Sequence, residues 1–325
     1  MALVEHPTEI ASTTRLQDSH GRVIRKLRVS LLDACNMRCG YCMPLQMKFA
    51  KQSRYLSTNE WEYICRSLVD LGIEQIRVTG GEPTLHPHFK ELMAIFAQLP
   101  LQKLGLTSNG LTLAAYLDDL KEMGCQHLNI SLDSLNPETF TRISHAQGFE
   151  QVKQCILKAH QMGFQVKINT VIMGGVNDHE IPDFVEFSEQ SGIEVRFLEL
   201  MRIGEALAFQ SERFVTAKAM IQRIASQREL IPVRVDWDST SFNYRTPAGG
   251  QIGFIASESQ AFCHSCSRLR LSYDGTLRPC LMLDQGLSLR GKDKEQIRAT
   301  LYQVMEQKPY ERVLELAQSM NQIGG

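Results

Sequence analysis

Short apolar segments alternate with amphipathic helical segments between residues 26 and 200, and this alternation constrains the fold more than any other feature. Two helical segments open with patterns typical of a capping box, at Ser57 to Glu60 and at Asn177 to Glu180. Six successive βα units predict a parallel sheet joined by right-handed crossovers. The predicted strands cover residues 26–31, 75–79, 103–107, 127–132, 166–172 and 194–198.

Polar motifs follow the predicted strands and favour a barrel over an open sheet. They include a cysteine-rich loop after the first strand, Gly80-Gly81 after the second and Asp133 after the fourth. Because the motifs come from all the strands and not from one switch point, a partial barrel fits better than a doubly wound sheet. The predicted fold class is α/β, with a partial (β/α)6 TIM-type barrel over residues 1–210 and a smaller C-terminal α+β domain over residues 211–325.

The C-terminal part is predicted to bring distant cysteines together. Residues 216–226 have the pattern of a helix, and residues 268–280 have that of a hairpin with an Asp274-Gly275 turn. Folding back at that turn places Cys280 close to Cys266.

Composition excludes several classes of protein. The formal net charge is −1, so the chain lacks the basic character of nucleic-acid or membrane binders. No apolar segment approaches the roughly 18 residues that span a bilayer, and the first residues lack a signal-peptide pattern. Six of the nine cysteines stand at metal-type spacings, which argues against a secreted disulfide framework. We therefore expect a cytoplasmic protein.

Two sets of three cysteines predict metal chemistry. The first set, spaced C-x3-C-x2-C, comprises Cys35, Cys39 and Cys42. The second set, spaced C-x2-C-x13-C, comprises Cys263, Cys266 and Cys280. Three thiolates are one fewer than the four that complete a tetrahedral zinc site or a four-iron cluster, so a cubane on either set keeps one iron open. A structural zinc site is the alternative for both sets, and a purely structural cluster is a further alternative for the second.

Four cations lie inside predicted strands with apolar residues on both sides. They are Arg28, Arg77, Lys167 and Arg196. Because strand side chains alternate between faces, the apolar neighbours are expected to meet the outer helices and the cations to point into the barrel. Arg268 and Arg270 add two more cations beside the second cysteine set. Such cations repel one another unless an anion lies between them, which predicts a small polyanionic ligand, most naturally a triphosphate.

The first cysteine set resembles the signature of the radical S-adenosylmethionine superfamily. That signature is C-x3-C-x2-C with an aromatic residue before the last cysteine, here Tyr41. Gly80-Gly81-Glu82-Pro83 is similar to the superfamily's second element, which receives the methionine amino group. The resemblance implies the superfamily's partial barrel and a [4Fe–4S] cluster whose open iron chelates S-adenosyl-L-methionine. Electron transfer into the sulfonium then releases a 5′-deoxyadenosyl radical.

A more specific resemblance covers nearly the whole chain, most weakly at about residues 202–245. It rests on Arg22 in Gly-Arg-Val-Ile-Arg-Lys-Leu-Arg, on Ser131-Leu-Asp-Ser, on Val-Asn177-Asp and on Phe262-Cys-x2-Cys-Ser-Arg-Leu-Arg-Leu, together with both cysteine sets. These segments resemble the GTP 3′,8-cyclase family. The resemblance implies a lyase with two [4Fe–4S] clusters that converts GTP to (8S)-3′,8-cyclo-7,8-dihydroguanosine 5′-triphosphate, the first step of molybdenum cofactor biosynthesis.

The same resemblance implies roles for individual residues. The first cluster is expected on Cys35, Cys39 and Cys42, and the second, whose open iron faces the guanine, on Cys263, Cys266 and Cys280. The residues expected to bind S-adenosylmethionine are Tyr41, Gly80, Gly81, Glu82, Ser131 and Met201. Those expected to bind GTP are Arg28, Arg77, Thr107, Lys167, Arg196, Arg268 and Arg270. Direct roles in catalysis are expected for Arg268, Arg270, Gly324 and Gly325, the two glycines as a tail that enters the active site.

The implied partners are GTP, an external electron donor of the flavodoxin or ferredoxin type, and the downstream cyclic pyranopterin monophosphate synthase. The oligomeric state is left open between a monomer and a homodimer.

Ala34, Gln75 and His86 depart from the family pattern and remove positive charge near the pocket; a lysine is common at position 75. They leave open a related two-cluster radical enzyme that acts on a peptide or another nucleotide. A zinc-stabilised binding protein without catalysis is the alternative from another class.

Overall fold

The computed structural model describes residues 15–323 of the chain. Six parallel strands follow one another in sequence order, and each pairs with the next. They are β1 (Lys26–Ser30), β2 (Gln75–Thr79), β3 (Lys103–Ser108), β4 (His127–Ser131), β5 (Gln165–Ile172) and β6 (Glu194–Glu199). The predicted βα units are confirmed, because each observed strand end lies within one residue of the predicted one.

Helices cover the outer face of this sheet. They are α1 (Thr58–Asp70), α2 (Phe89–Ala97), α3 (Leu117–Glu122), α4 (Pro137–Ser144), α5 (Phe149–Gln161) and α6 (Ile181–Ser191). In α1, the buried residues Trp61, Ile64 and Leu68 recur at helical spacing and form one apolar face. Leu27 and Val29, the neighbours of Arg28, are 1% and 0% exposed and belong to the same core, so the expected division between an apolar outer face and a polar lumen holds.

Of the two predicted capping boxes, only the first is present. The Ser57 side chain accepts a hydrogen bond from the Glu60 backbone, and the Glu60 carboxylate accepts one from the Ser57 backbone. The prediction at Asn177 is wrong, because that side chain makes no cap bond. Its amide donates to the Asp133 and Val171 carbonyls at 2.6 and 2.9 Å and so joins two loops above the barrel.

The C-terminal residues extend the barrel sheet at both edges. Beside β6 lie β9 (Gln251–Ile255), β8 (Phe242–Arg245) and β7 (Ile231–Val233); beside β1 lie β10 (Arg268–Leu271), β11 (Thr276–Arg278) and β12 (Leu287–Ser288). After β6, the structure up to residue 323 contains four further helices: α7 (Gln210–Arg213), α8 (Ala217–Ala225), α9 (Lys294–Glu306) and α10 (Met320–Ile323). The predicted helix and the Asp274-Gly275 hairpin are confirmed, whereas the division into domains at residue 210 stays a prediction.

A buried carboxylate joins the connection between β7 and β8 to the starts of β1 and β10, on the other side of the barrel. Asp238 is 1% exposed and forms ion pairs with Arg25 at 2.9 Å and Lys26 at 2.7 Å, at the start of β1. It also accepts a hydrogen bond of 2.6 Å from Ser267, just before β10. The segment that follows β7 therefore spans the gap that the partial barrel leaves. Within residues 15–323, no helix combines the length and the apolar character needed to cross a membrane.

Candidate active site

A cavity of about 350 Å³ lies inside the barrel, and both cysteine sets line it. Cys35 follows β1, whereas Cys266 precedes β10, which runs parallel to β1 with Arg268 beside Lys26. The two sets therefore lie at opposite ends of β1, whose five residues span about 13 Å. A molecule in the cavity lies between them.

Glycines hold the first cysteine loop against the end of β2. A Cβ atom on Gly81 would lie 2.1 Å from the Ala34 carbonyl oxygen, so only glycine fits. The Gly81 N–H donates to the Leu32 carbonyl at 2.7 Å, and the Glu82 N–H donates to the Ala34 carbonyl at 2.7 Å. This close backbone approach fixes the loop that carries Cys35.

The side chain of Glu82 lies behind the wall of the cavity and does not line it. It is 0% exposed, and it accepts hydrogen bonds from Ser108 Oγ at 2.9 Å and from the Asn109 N–H at 2.7 Å. Asn109 Nδ2 in turn donates to Asn36 at 2.7 Å and lies 3.6 Å from Cys35 Sγ. The expected direct contact between the Glu82 carboxylate and S-adenosylmethionine is therefore replaced by a supporting role, in which this carboxylate joins three loops behind the cysteines.

Tyr41 is oriented by a carboxylate that sequence analysis gave no role. Its hydroxyl donates to Asp133 Oδ2 at 2.7 Å, and Asp133 Oδ1 accepts a bond of 2.8 Å from the Val171 N–H. Burial raises the pKa of Asp133 to about 6. Ser131 and Met201 line the same end of the cavity as Tyr41, so most of the residues expected to bind S-adenosylmethionine lie together.

The buried thiols of the first cysteine set need a positively charged partner in order to ionise. Its thiols are free, and burial together with the neighbouring Cys35 raises the pKa of Cys42 to about 12. Burial and Asp133 also raise the pKa of Cys39. Thiolates at such a site form only against a cation, and iron in a cluster supplies that charge. Within residues 15–323, no three His, Cys, Asp or Glu side chains are gathered as ready-made ligands of a single metal ion.

The second cysteine set is surrounded by protein cations. Burial raises the pKa of Cys266, but Arg268 and Lys308 outweigh it and bring this pKa down to about 6. Lys308 is 2% exposed, and its ammonium donates to the Arg268 and Pro279 carbonyls at 2.6 and 2.8 Å. Sequence analysis missed Lys308, because no pattern links residue 308 to a hairpin about thirty residues earlier. This set also fits a cluster held by three thiolates.

Three of the predicted substrate cations form a row across adjacent strands. Arg28 on β1 is in register with Arg270 on β10 and with Arg77 on β2. Gly105 on β3 continues the row, and a Cβ atom there would lie 3.0 Å from the Arg77 guanidinium carbon. Burial, followed by the repulsion of Arg270, lowers the pKa of Arg28 well below its usual range. Such crowding of like charges favours the binding of an anion.

Part of the anion expected between the lumen cations belongs to the protein itself, because Glu194 lies between two of them. Its carboxylate meets Lys167 Nζ at 2.6 Å and Arg196 Nε at 2.6 Å. The signal was present in the sequence, since Glu194 stands two residues before Arg196 on the same strand face. Arg77 and Lys167 lie outside the lining of the cavity, and Arg77 donates to the Leu106 carbonyl at 3.3 Å.

The last described residues reach the first cysteine set. The Met320 N–H donates to the Cys42 carbonyl at 3.1 Å, and Asn321 Nδ2 donates to the Asp33 carbonyl at 3.0 Å. Gly324 and Gly325 lie outside the described residues. The predicted site residues that line the cavity are Arg28, Cys35, Cys39, Tyr41, Cys42, Gly80, Gly81, Thr107, Ser131, Arg196, Met201, Cys263, Cys266, Arg268, Arg270 and Cys280.

Comparison with known proteins agrees with this arrangement of two cysteine sets. Residues 29–188 match the radical SAM superfamily, and residues 193–313 match Molybdenum Cofactor Synthesis C. A GTP 3′,8-cyclase of Synechocystis sp. is 45% identical over 325 residues, with 100% of this chain and 99% of the relative covered. The chain belongs to the GTP 3′,8-cyclase family. It is therefore a radical S-adenosylmethionine enzyme, and its family's cofactors are S-adenosyl-L-methionine and two [4Fe–4S] clusters.

Two further curated relatives extend the match. The GTP 3′,8-cyclase of Alkaliphilus metalliredigens is 36% identical over 323 residues and covers 95% of this chain and 100% of its own length. Molybdenum cofactor biosynthesis protein 1 of Drosophila melanogaster is 39% identical over 280 residues, with 85% of this chain and 49% of that protein covered.

Solved structures confirm the radical S-adenosylmethionine fold. Streptococcus suis SuiB bound to its precursor peptide SuiA gives a TM-score of 0.64 at 14% identity, over 88% of this chain and 68% of that one. Coproporphyrinogen III oxidase (HemN) from Escherichia coli gives a TM-score of 0.51 at 13% identity, over 87% of this chain and 70% of that one. The predicted α/β partial barrel is therefore confirmed.

Proposed function

We propose that this chain converts GTP to (8S)-3′,8-cyclo-7,8-dihydroguanosine 5′-triphosphate, the first step of molybdenum cofactor biosynthesis. The observation that carries the proposal is one cavity with a cysteine triad at each end and arginines on its wall. The full-length match to a GTP 3′,8-cyclase supports GTP as the substrate. When bound, the cofactors would supply a 5′-deoxyadenosyl radical that removes the 3′ hydrogen of GTP; C3′ would then bond to C8 of guanine, and one electron from the external reductant together with one proton would complete the 7,8-dihydro product.

At the first end of the cavity, Cys35, Cys39 and Cys42 hold the cluster that binds S-adenosylmethionine. Tyr41 contacts this cofactor in an orientation that its bond to Asp133 sets. The backbone of Gly80 and Gly81 and the side chains of Ser131 and Met201 complete this end. Apolar lining residues, among them Phe140, Ile143 and Leu198, exclude water from the space where the radical acts.

The rest of the cavity binds GTP. Arg28, Arg196 and Arg270 lie on its wall and neutralise the triphosphate, because guanidinium groups bind phosphate oxygens bidentately. Arg77 and Lys167 lie behind these residues and extend the positive potential along the lumen. The second cluster, held by Cys263, Cys266 and Cys280, receives the guanine at the opposite end. Arg268 donates to Cys266 Sγ at 3.5 Å and so lies where the base meets this cluster.

Gly324 and Gly325 are proposed to enter the cavity near S-adenosylmethionine. This rests on Met320 and Asn321, which line the cavity and bond to the first cysteine loop and to Asp33. Gly324→Ile should impair cyclisation while iron content and thermal stability stay unchanged, because a branched side chain crowds an occupied pocket. Gly324→Ala is the milder control. Full cyclase activity in Gly324→Ile would exclude a role for this segment.

Further parts of the proposal follow from the reaction. A radical reaction started by one electron needs a reductant, which we take to be a flavodoxin- or ferredoxin-type protein. The product is expected to pass to cyclic pyranopterin monophosphate synthase. We also propose that the protein is cytoplasmic and that its two functional parts divide near residue 210. Ultracentrifugation of the reconstituted protein distinguishes a monomer from a homodimer.

Anaerobic reconstitution with iron and sulfide, followed by product analysis, tests the proposed function. With dithionite, S-adenosylmethionine and GTP, we expect 5′-deoxyadenosine and the cyclised nucleotide in equal amounts. ATP is the matched control, because it carries the same triphosphate on a different base. Cleavage of S-adenosylmethionine without any GTP-derived product would favour the related enzyme that acts on a peptide or another nucleotide.

A further inference from the structure

Lys103 begins β3 at the amino-terminal end of the barrel lumen. It is in register with Gln75 on β2, which is in register with Lys26 on β1. Gly105, two residues further along β3, lies against the Arg77 guanidinium inside the lumen. Because side chains two residues apart share a face, Lys103 also belongs to the lumen face.

The Lys103 ammonium lacks the carboxylate partner that its neighbours have. Lys26 pairs with Asp238 at 2.7 Å and Lys167 pairs with Glu194 at 2.6 Å. In the described part of the chain, Lys103 forms no ion pair. Burial, followed by the repulsion of Arg77 and Lys167, lowers its pKa to about 8. A half-buried cation that is opposed by other cations is stabilised when an anion joins it.

His127, the first residue of β4, offers a second unused group beside Lys103. It is in register with Gly105. Its Nδ1 atom is buried and has no hydrogen-bond partner among residues 15–323. His127 shares its strand face with Asn129 and Ser131, which line the main cavity, so His127 and Lys103 both belong to the lumen face at the amino-terminal ends of β3 and β4. They also line a separate pocket of about 240 Å³, whose other walls come from α2 and the connection between α3 and β4. An unpaired ammonium and an unpaired imidazole nitrogen at one end of the lumen match a phosphate group, which accepts hydrogen bonds on several oxygens.

We propose that Lys103 and His127 bind the outermost phosphate of GTP, an inference that rests on the proposed function. Thr107 lines the main cavity, and Lys103 lies four residues, about 13 Å, before it along β3. Arg77 lies against Gly105, halfway between them, so the positive charge continues along the lumen from the cavity to Lys103. The register partner of Lys103 on the adjacent strand is the uncharged Gln75, so Lys103 supplies the cation of this pair.

Nucleotide binding by the reconstituted holoenzyme, measured by anaerobic equilibrium dialysis, tests this assignment. Lys103→Gln should weaken GTP binding about tenfold, as expected for the loss of one charge-assisted hydrogen bond. Binding of GDP and of GMP should hardly change, because neither ligand places a phosphate as far along the lumen. Lys218→Gln, which removes an exposed lysine on α8, is the matched control and should bind all three nucleotides normally.

A compensating charge on the neighbouring strand provides the decisive test of the inference. Gln75→Lys combined with Lys103→Gln should restore GTP affinity, because residues 75 and 103 are register partners. Unchanged GTP affinity in Lys103→Gln would overturn the inference, and so would an equal loss for GTP, GDP and GMP. Failure of the double variant to recover GTP affinity would also count against the assignment. The iron content and circular dichroism of each variant identify a folding defect. If the unmodified enzyme bound GTP no better than GMP, the proposed function itself would fail.

Discussion

The two cysteine triads have the same number of thiols but opposite electrostatic surroundings. In the first triad, burial and neighbouring acidic groups raise the pKa of Cys39 and Cys42. In the second, Arg268 and Lys308 overcome burial and lower the pKa of Cys266 to about 6. The first site therefore depends on the charge of its iron, whereas in the second site Cys266 is thiolate before any iron arrives, although burial and the neighbouring cysteines raise the pKa of Cys263. Two sets of three cysteines in one cavity thus lie in different electrostatic surroundings.

The two sites also differ in what positions them. The first loop is held by backbone contacts with Gly81 and by hydrogen bonds that lead to Glu82. The second is held by charged side chains, because Arg22 donates to the Cys263 carbonyl at 2.7 Å and Lys308 donates to the Arg268 carbonyl. Steric substitutions should therefore damage the first site, and charge substitutions the second.

The largest expected effect separates the tasks of the two triads. Cys39→Ala should abolish cleavage of S-adenosylmethionine, because two thiolates cannot hold the cluster that binds it. Cys266→Ala should keep uncoupled cleavage and lose cyclisation. Both products are measured by anaerobic chromatography of 5′-deoxyadenosine and of the nucleotide. If Cys266→Ala still made the cyclised nucleotide, the second cluster would have no part in the reaction.

Alkylation of the cluster-free protein tests the electrostatic contrast. At pH 7 a thiol with a pKa of about 6 is roughly nine-tenths thiolate, whereas one at about 12 is thiolate to only about one part in 10⁵. Iodoacetamide should therefore label Cys266 orders of magnitude faster than Cys42, as read by mass spectrometry. Because the pKa of Cys266 is lowered, its labelling should fall as the pH drops through about 6. Lys308→Gln should slow it at pH 7; equal rates at both triads would refute the contrast.

A steric substitution should remove one cluster and spare the other. Gly81→Ala places a Cβ atom on the Ala34 carbonyl and must displace the first cysteine loop. We expect iron content to fall by half while the second cluster keeps its spectrum. Gly40→Ala is the control in the same loop, because a Cβ atom there meets nothing within 4 Å. Normal iron content in Gly81→Ala would show that the close approach is not required.

The smallest expected effect concerns the cations between the triads. Arg28→Ala should weaken GTP binding by about 1.5–3 kcal/mol, the value of a hydrogen bond to a charged group. Affinity should also fall from GTP to GDP to GMP. Arg54→Ala, which removes an exposed arginine, is the control in the same titration calorimetry. Equal affinity for GTP and guanosine would contradict a role for these cations in phosphate binding.

Local patterns were enough to predict the strands, the lumen cations and the cysteine sets, because side-chain periodicity acts within one element. Relationships between distant segments could not be predicted in this way. The pairing of β9 with β6 and the contact of Lys308 with the second triad depend on how the chain returns to the barrel. Asn177 illustrates the same limit, because its sequence fits a capping box while its amide donates to the distant Asp133 carbonyl and to the Val171 carbonyl.

Asp238 has a consequence for how the molecule unfolds. It joins the segment after β7 to β1 and to the residue before β10, so this segment cannot separate from β1 and β10 without exposing a buried ion pair. Removing one partner of such a pair costs about 3–5 kcal/mol. The barrel and the C-terminal strands therefore form one cooperative unit, with a single calorimetric transition. A chain cut at residue 210 would leave β1 and β6 as open edges, which are prone to aggregate.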